Sequence, residues 1–234
     1  MNKNGNPSVT FRQRSPARVF ESGHETADWV WKMPQTDLVE NYDHMFRHVP
    51  PSDIGKHLGH LLDSTDGTDV SFNIGGETFY AHRAVLAARS PVFRAELLGS
   101  MAEATMPSIT IHDIAPATFK AMLRFIYTDY LTGDDELDGS TSETLHDLLA
   151  AADRYALDRL KLMCAQKLMD SVSVNTVAVT LGCAEMYNLP ELKKRCMDFL
   201  AKDEYFKKAV LTKGFLELGL QFPSIIHELR ERVG

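Results

Sequence analysis

Hydrophobic and polar positions alternate most cleanly at residues 70–74, where Val70, Phe72 and Ile74 share one side and Ser71 and Asn73 the other. That period of two predicts a half-buried strand. Gly75-Gly76 follows; both residues tolerate positive φ, so the pair signals a hairpin and residues 77–81 return as the second strand. Residues 84–89 are rich in alanine and leucine and read as a helix. Ser90-Pro91 restarts the chain, because serine caps a helix and proline fits its first position. Ile109 and Ile111 alternate with polar neighbours and mark a third short strand. Pro116 opens a helix in which Phe119, Met122, Leu123 and Ile126 fall at i, i+3, i+4 and i+7, one buried stripe.

The flanks extend this pattern. Upstream, Pro50-Pro51 stops regular structure; Ile54, Leu58 and Leu61 then form the stripe of a short amphipathic helix, and Asp66-Gly67 turns the chain into the first strand. Downstream, residues 133–140 make an acidic, turn-rich connection, and helices dominate from there. Their stripes are Leu145, Leu148, Leu149, Ala152 and Ala156, then Leu160, Met163, Cys164 and Leu168, then Val177, Leu181 and Ala184. Pro190 opens another helix with Leu192, Cys196, Phe199 and Leu200 facing inward, and Pro223 separates two last short helices. No internal repeat, heptad or low-complexity tract stands out. Residues 1–18 are polar and read as disordered. Within residues 19–48, Trp29, Trp31 and Met33 alternate with Val30 and Lys32, as in a strand with aromatics on one face. The fold class is therefore α+β: a short three-stranded sheet flanked by a helical cluster, then a helical extension.

Composition narrows the function. A hydrophobic content of 44% over 234 residues supports a real core in one or two domains. A net charge of −7 with no basic stripe argues against a nucleic-acid partner. No signal-peptide pattern opens the chain, and no apolar run approaches the ~20 residues that span a bilayer. A cytoplasmic or nuclear protein with no membrane partner is expected. Cys164, Cys183 and Cys196 are an odd set inside helical patterns and read as free thiols.

Catalytic chemistry is missing from the pattern. His57 and His60 lie one helical turn apart, but nothing beside them completes a tetrahedral metal set. Gly75-Gly76 lacks the spacing of a phosphate loop. Asp134, Asp135 and Glu136 lie in a connection where nothing would raise one carboxyl for acid–base work. The chain reads as a non-enzyme with no catalytic residue, metal or cofactor. Asp69 and Arg83 are more pointed: a charge at the start of a strand entering a core needs a partner, and each can serve the other.

The stretches DVSF, ETFYAHRAVLAARSPVF, ITIHDI followed by TFKAMLRFIYTD, and LLAAADRYALDRLKLMC together resemble the BTB/POZ domain over residues 67–172. The wording is closest to the plant MATH-BTB (speckle-type POZ protein-like) family. That resemblance implies dimerisation through residues 49–66 and the first helix of the domain, with Ile54, Leu58, Leu61, Asp69, Arg83 and Val85 at the dimer interface. It implies docking on cullin-3 through a hydrophobic-x-Glu motif, matched by Met101-Ala102-Glu103, with Tyr127 as a second docking candidate. Residues 173–234 resemble the BACK-like helical extension of that family.

The segment at residues 19–48 resembles the last part of a MATH sandwich, with Trp29 and Trp31 at substrate-groove positions. A pair of strands cannot bury a sandwich core, so it reads as a vestige. The expected function is a substrate-adaptor subunit of a cullin-3 ubiquitin ligase, acting as a homodimer or with other BTB proteins. The alternative is a chain deficient in recruiting protein substrates that regulates full-length relatives by heterodimerisation.

Overall fold

The computed structural model describes residues 51–100, 104–131 and 142–233. The readings made for residues 1–18 and 19–48, including Trp29 and Trp31, lie outside the described residues.

Helix α1 (Ile54–Ser64) opens the described chain, and β1 (Val70–Ile74) and β2 (Glu77–Ala81) follow as an antiparallel hairpin. Gly75 and Gly76 have φ of 57° and 89°, the pair of positive values a tight two-residue hairpin requires. The register sets Val70 against Ala81 and Phe72 against Phe79. Val70, Phe72 and Ile74 are all buried, as the alternation predicts. β3 (Ser108–Thr110) pairs in parallel with β1 on its other side, giving the order β2-β1-β3. A parallel partner requires a crossover connection, and α2 (Arg83–Arg89) and α3 (Pro91–Leu98) lie within it.

Ser90 separates those two helices by adopting an extended conformation, φ −129° and ψ 122°. Its Oγ accepts from the Phe93 N–H at 3.1 Å and donates to the Tyr155 carbonyl at 2.7 Å. One buried hydroxyl thus starts α3 and ties it to the helices downstream. Phe93 stacks on Tyr155 with ring centroids 4.3 Å apart, and Phe72 packs against Phe93 and Phe119. Those aromatics come from β1, α3, α4 (Pro116–Thr128) and the turn after α5 (Ser142–Arg154), so they join the sheet to the helical cluster.

Helix α1 approaches α4 through glycines. A Cβ at Gly55 would lie 2.5 Å from the Thr128 carbonyl oxygen, and one at Gly59 would lie 3.1 Å from Thr128 Cγ2. Arg124 of α4 also pairs with Asp63 and approaches the Gly59 carbonyl. This glycine face leaves Ile54 65% exposed, while Leu58 and Leu61 are half-buried. Of this stripe, Leu58 packs against the core of its own chain.

Helix α6 (Asp158–Asp170) follows α5, and the helical extension comprises α7 (Val177–Met186), α8 (Pro190–Leu200), α9 (Asp203–Ala209), α10 (Lys213–Gln221) and α11 (Pro223–Val233). Helices α5 to α8 contain a repeat that the hydrophobic stripes did not reveal. The positions Ala152, Tyr155, Leu157, Leu160, Lys161 and Cys164 recur as Ala184, Tyr187, Leu189, Leu192, Lys193 and Cys196. In both copies the turn uses a left-handed residue, Ala156 at φ 51° and Asn188 at φ 54°. In both, the leucine N–H donates 2.8 Å to the alanine carbonyl, Leu157 to Ala152 and Leu189 to Ala184. In both, the lysine pairs with an acid of the preceding helix, Lys161 with Asp153 and Lys193 with Glu185. The pairs α5/α6 and α7/α8 are thus one helical hairpin used twice.

Candidate binding surfaces

Asp69 and Arg83 meet, in a different way from two opposed side-chain charges. Asp69 Oδ1 accepts from the main-chain N–H of Arg83 at 2.7 Å, so the residue just before β1 caps the exposed start of α2. The guanidinium turns inward. Its Nε donates to the Asp69 carbonyl at 3.3 Å, and its terminal nitrogens donate to the carbonyls of Leu97 at 3.1 Å, Ala104 at 3.0 Å and Met106. Arg83 therefore spans the end of α3 and the entry to β3. Val85, one turn into α2, is half-buried and packs against the core.

Met101 and Glu103 lie outside the described residues. The residues around them carry a signal that the sequence reading missed. Leu98 is 59% exposed and Met106 is 44% exposed, an apolar side chain on each side of that motif. Sequence pattern gives little warning of this, since isolated apolar residues near a helix end are usually core.

Tyr127 does not belong to a docking face through its side chain. It is only 2% exposed, in the core. Its hydroxyl accepts from the His82 main-chain N–H at 2.8 Å and lies 2.8 Å from His82 Nδ1. His82 Nε2 is 2.8 Å from the Asp66 carbonyl. A carbonyl only accepts, so in the neutral ring Nε2 carries the hydrogen and Nδ1 accepts the tyrosine hydrogen. Burial pushes the Tyr127 phenol up to about 12, with the His82 N–H opposing and the Asp69 charge adding to the rise. The tyrosine is thus a structural pin between α4 and the start of α2.

A cleft of about 440 Å³ runs between the loop before α4, the outer side of α5 and the end of α7. Asp113, Asp147, Asp153, Arg154 and Tyr187 line it. Tyr155, the repeat counterpart of Tyr187, is covered by Phe93, whereas Tyr187 is half-exposed in this cleft. The three thiols offer no nucleophile: burial pushes Cys164 and Cys196 up to about 12 and Cys183 up to about 11. Among the described residues, no three His, Cys, Asp or Glu side chains gather to hold a metal ion, and no helix is long and apolar enough to cross a membrane. The described surface carries exposed apolar side chains at α1, beside residues 101–103 and near the C-terminal helices (Leu211, Leu216, Leu220), and one acidic cleft.

A family profile described as "BTB/POZ domain" matches residues 58–172, and one described as "BPM/SPOP, BACK domain" matches residues 176–230. "BTB/POZ and MATH domain-containing protein 3" of Arabidopsis thaliana is 42% identical over 190 residues, which is 79% of this chain and 47% of that protein. "BTB/POZ and MATH domain-containing protein 4" of the same plant is 44% identical over 195 residues, 80% of this chain and 41% of that protein. The chain thus spans less than half the length of these relatives. Among solved structures, the "BTB domain of zebrafish PATZ1" aligns with a TM-score of 0.41 at 26% identity, covering 53% of this chain and 98% of that one.

Proposed function

Because the chain belongs to the BTB/POZ proteins that carry a BPM/SPOP-type BACK domain, we propose that it is a dimeric adaptor that docks on cullin-3 within a ubiquitin ligase. Its work is binding, and two surfaces divide it. The α1 face beside Gly55 and Gly59 meets a second copy or another BTB protein. A large aliphatic side chain left in water, as Ile54 is, suits such an interface. The region of Met101 and Glu103 meets cullin-3. Methionine adapts to an apolar pocket on a partner, and the carboxylate two residues on pairs at the rim.

The observation that carries the docking reading is the exposure of Leu98 and Met106 on the two sides of this motif, in a chain whose BTB and BACK matches follow one another directly. The test is calorimetric titration of the purified chain with the cullin-3 N-terminal region. Met101→Ala should weaken binding by about 2 kcal/mol, or about thirtyfold, as loss of a buried anchor does. Equal binding by that variant removes Met101 from the docking site.

A further inference from the structure

Arg83 directs its guanidinium at main-chain carbonyls of its own chain. The guanidinium reaches the Leu97 carbonyl, in the last turn of α3, where helix carbonyls lack partners within the helix. It also reaches the carbonyls of Ala104 and Met106, on the chain entering β3. Its own base is fixed as well, since Asp69 holds the Arg83 main-chain N–H and accepts from Nε. A single planar cation therefore ties the entry to β1, the start of α2, the end of α3 and the entry to β3. Two of the exposed apolar residues adjoin the held carbonyls: Leu98 follows Leu97, and Met106 carries one of the carbonyls itself.

We propose that Arg83 is a positioning residue for partner docking, fixing the backbone that displays Leu98 and Met106. The proposal rests on the reading that this region docks on cullin-3. The chemistry requires arginine. A guanidinium presents five N–H donors in a fixed fork and serves several carbonyls at set angles. A lysine ammonium keeps the charge but is a compact point donor on a flexible stem. Charge and fork can therefore be separated by Arg83→Lys. If Arg83 acted through charge at a subunit interface, lysine would largely replace it. If it acts through the fork, lysine leaves the segment loose.

The experiment compares the full chain with Arg83→Lys by hydrogen exchange, sedimentation, thermal unfolding and titration with the cullin-3 N-terminal region. Peptides spanning Leu98 to Met106 should exchange about tenfold faster, as loss of hydrogen bonds to a charged donor implies, with β1 and α4 unchanged. The sedimentation coefficient should stay within error, Tm should fall by no more than the about 3–6 °C that a tenfold change implies, and cullin-3 affinity should fall about tenfold by the same arithmetic. Leu98→Ser should lower affinity with no change in exchange, which separates the displayed surface from its support. Unchanged exchange across residues 98–106 overturns the proposal. So does exchange accelerated equally in every element, because Arg83 would then be a general folding residue. An unmodified chain that fails to bind cullin-3 sinks the docking reading by itself, and the exchange comparison then decides the positioning claim alone.

Discussion

Replacing Tyr127 with phenylalanine removes one oxygen and separates two accounts of this residue. The hydroxyl serves two groups of His82, the main-chain N–H and Nδ1, each at 2.8 Å. The ring stays in the core, so hydrophobic burial is nearly unchanged. What is lost is the partner of a part-buried N–H at the start of α2. A buried donor left unsatisfied costs about 1–3 kcal/mol, so a loss of about 2 kcal/mol is expected. For a folded unit of this size each kcal/mol lowers Tm by about 2–4 °C, which predicts a fall of about 4–8 °C. Urea unfolding should show a lower midpoint with an unchanged slope. Cullin-3 affinity should not move, because the ring is not at the surface. A variant as stable as the parent, with weakened cullin-3 binding, would refute the reasoning and return Tyr127 to the docking face.

Other outcomes follow from the same packing. Ile54→Asp with Leu61→Asp should shift a dimer toward folded monomer in sedimentation, whereas Leu58→Asp should also lower Tm, because only Leu58 packs against the core. Gly55→Ala should loosen α1 from α4, since its methyl would meet the Thr128 carbonyl at 2.5 Å; a loss of about 1–3 kcal/mol in unfolding free energy, as overpacking costs, is expected. Stability should decline on the alkaline side. Cys164, Cys196, Tyr127 and Tyr155 all hold their protons more tightly when folded, at about 12, than at their ordinary values of 9.0 and 10.0. Their contribution is full below pH 9 and is lost as pH rises through 12, which denaturant midpoints taken across that range will read. At pH 8 the thiols should react with a disulfide reagent far more slowly in the native protein than in urea.

Much of the fold was legible because it is written in local periods. The alternation at Val70, Phe72 and Ile74, the Ser90-Pro91 restart and the Phe119 to Ile126 stripe each name their element directly. What periodicity cannot say is which neighbour a stripe faces. Ile54, Leu58 and Leu61 share a stripe, yet the glycines beside it decide the approach to α4 and draw Leu58 inward. Tyr127 was a docking candidate by resemblance alone, and its burial could not be read locally because its partner, His82, lies far away in sequence. The paired hairpins were hidden for another reason. Their shared positions mix tyrosine, lysine and cysteine with leucine, so a count of apolar residues alone passes over them. The sequence presents Arg83 as a charge needing a partner, but the main-chain carbonyls that take up its guanidinium are brought to it only by the fold.

The central claim is that this chain is a cullin-3 adaptor, and one titration tests it most directly. The purified, unmodified protein is titrated with the cullin-3 N-terminal region in a calorimeter, with the Met101→Ala and Glu103→Lys variants run beside it. The account predicts saturable binding with one cullin-3 per adaptor chain, weakened by either substitution while the fold is kept. No binding by the unmodified chain at micromolar concentrations would contradict it.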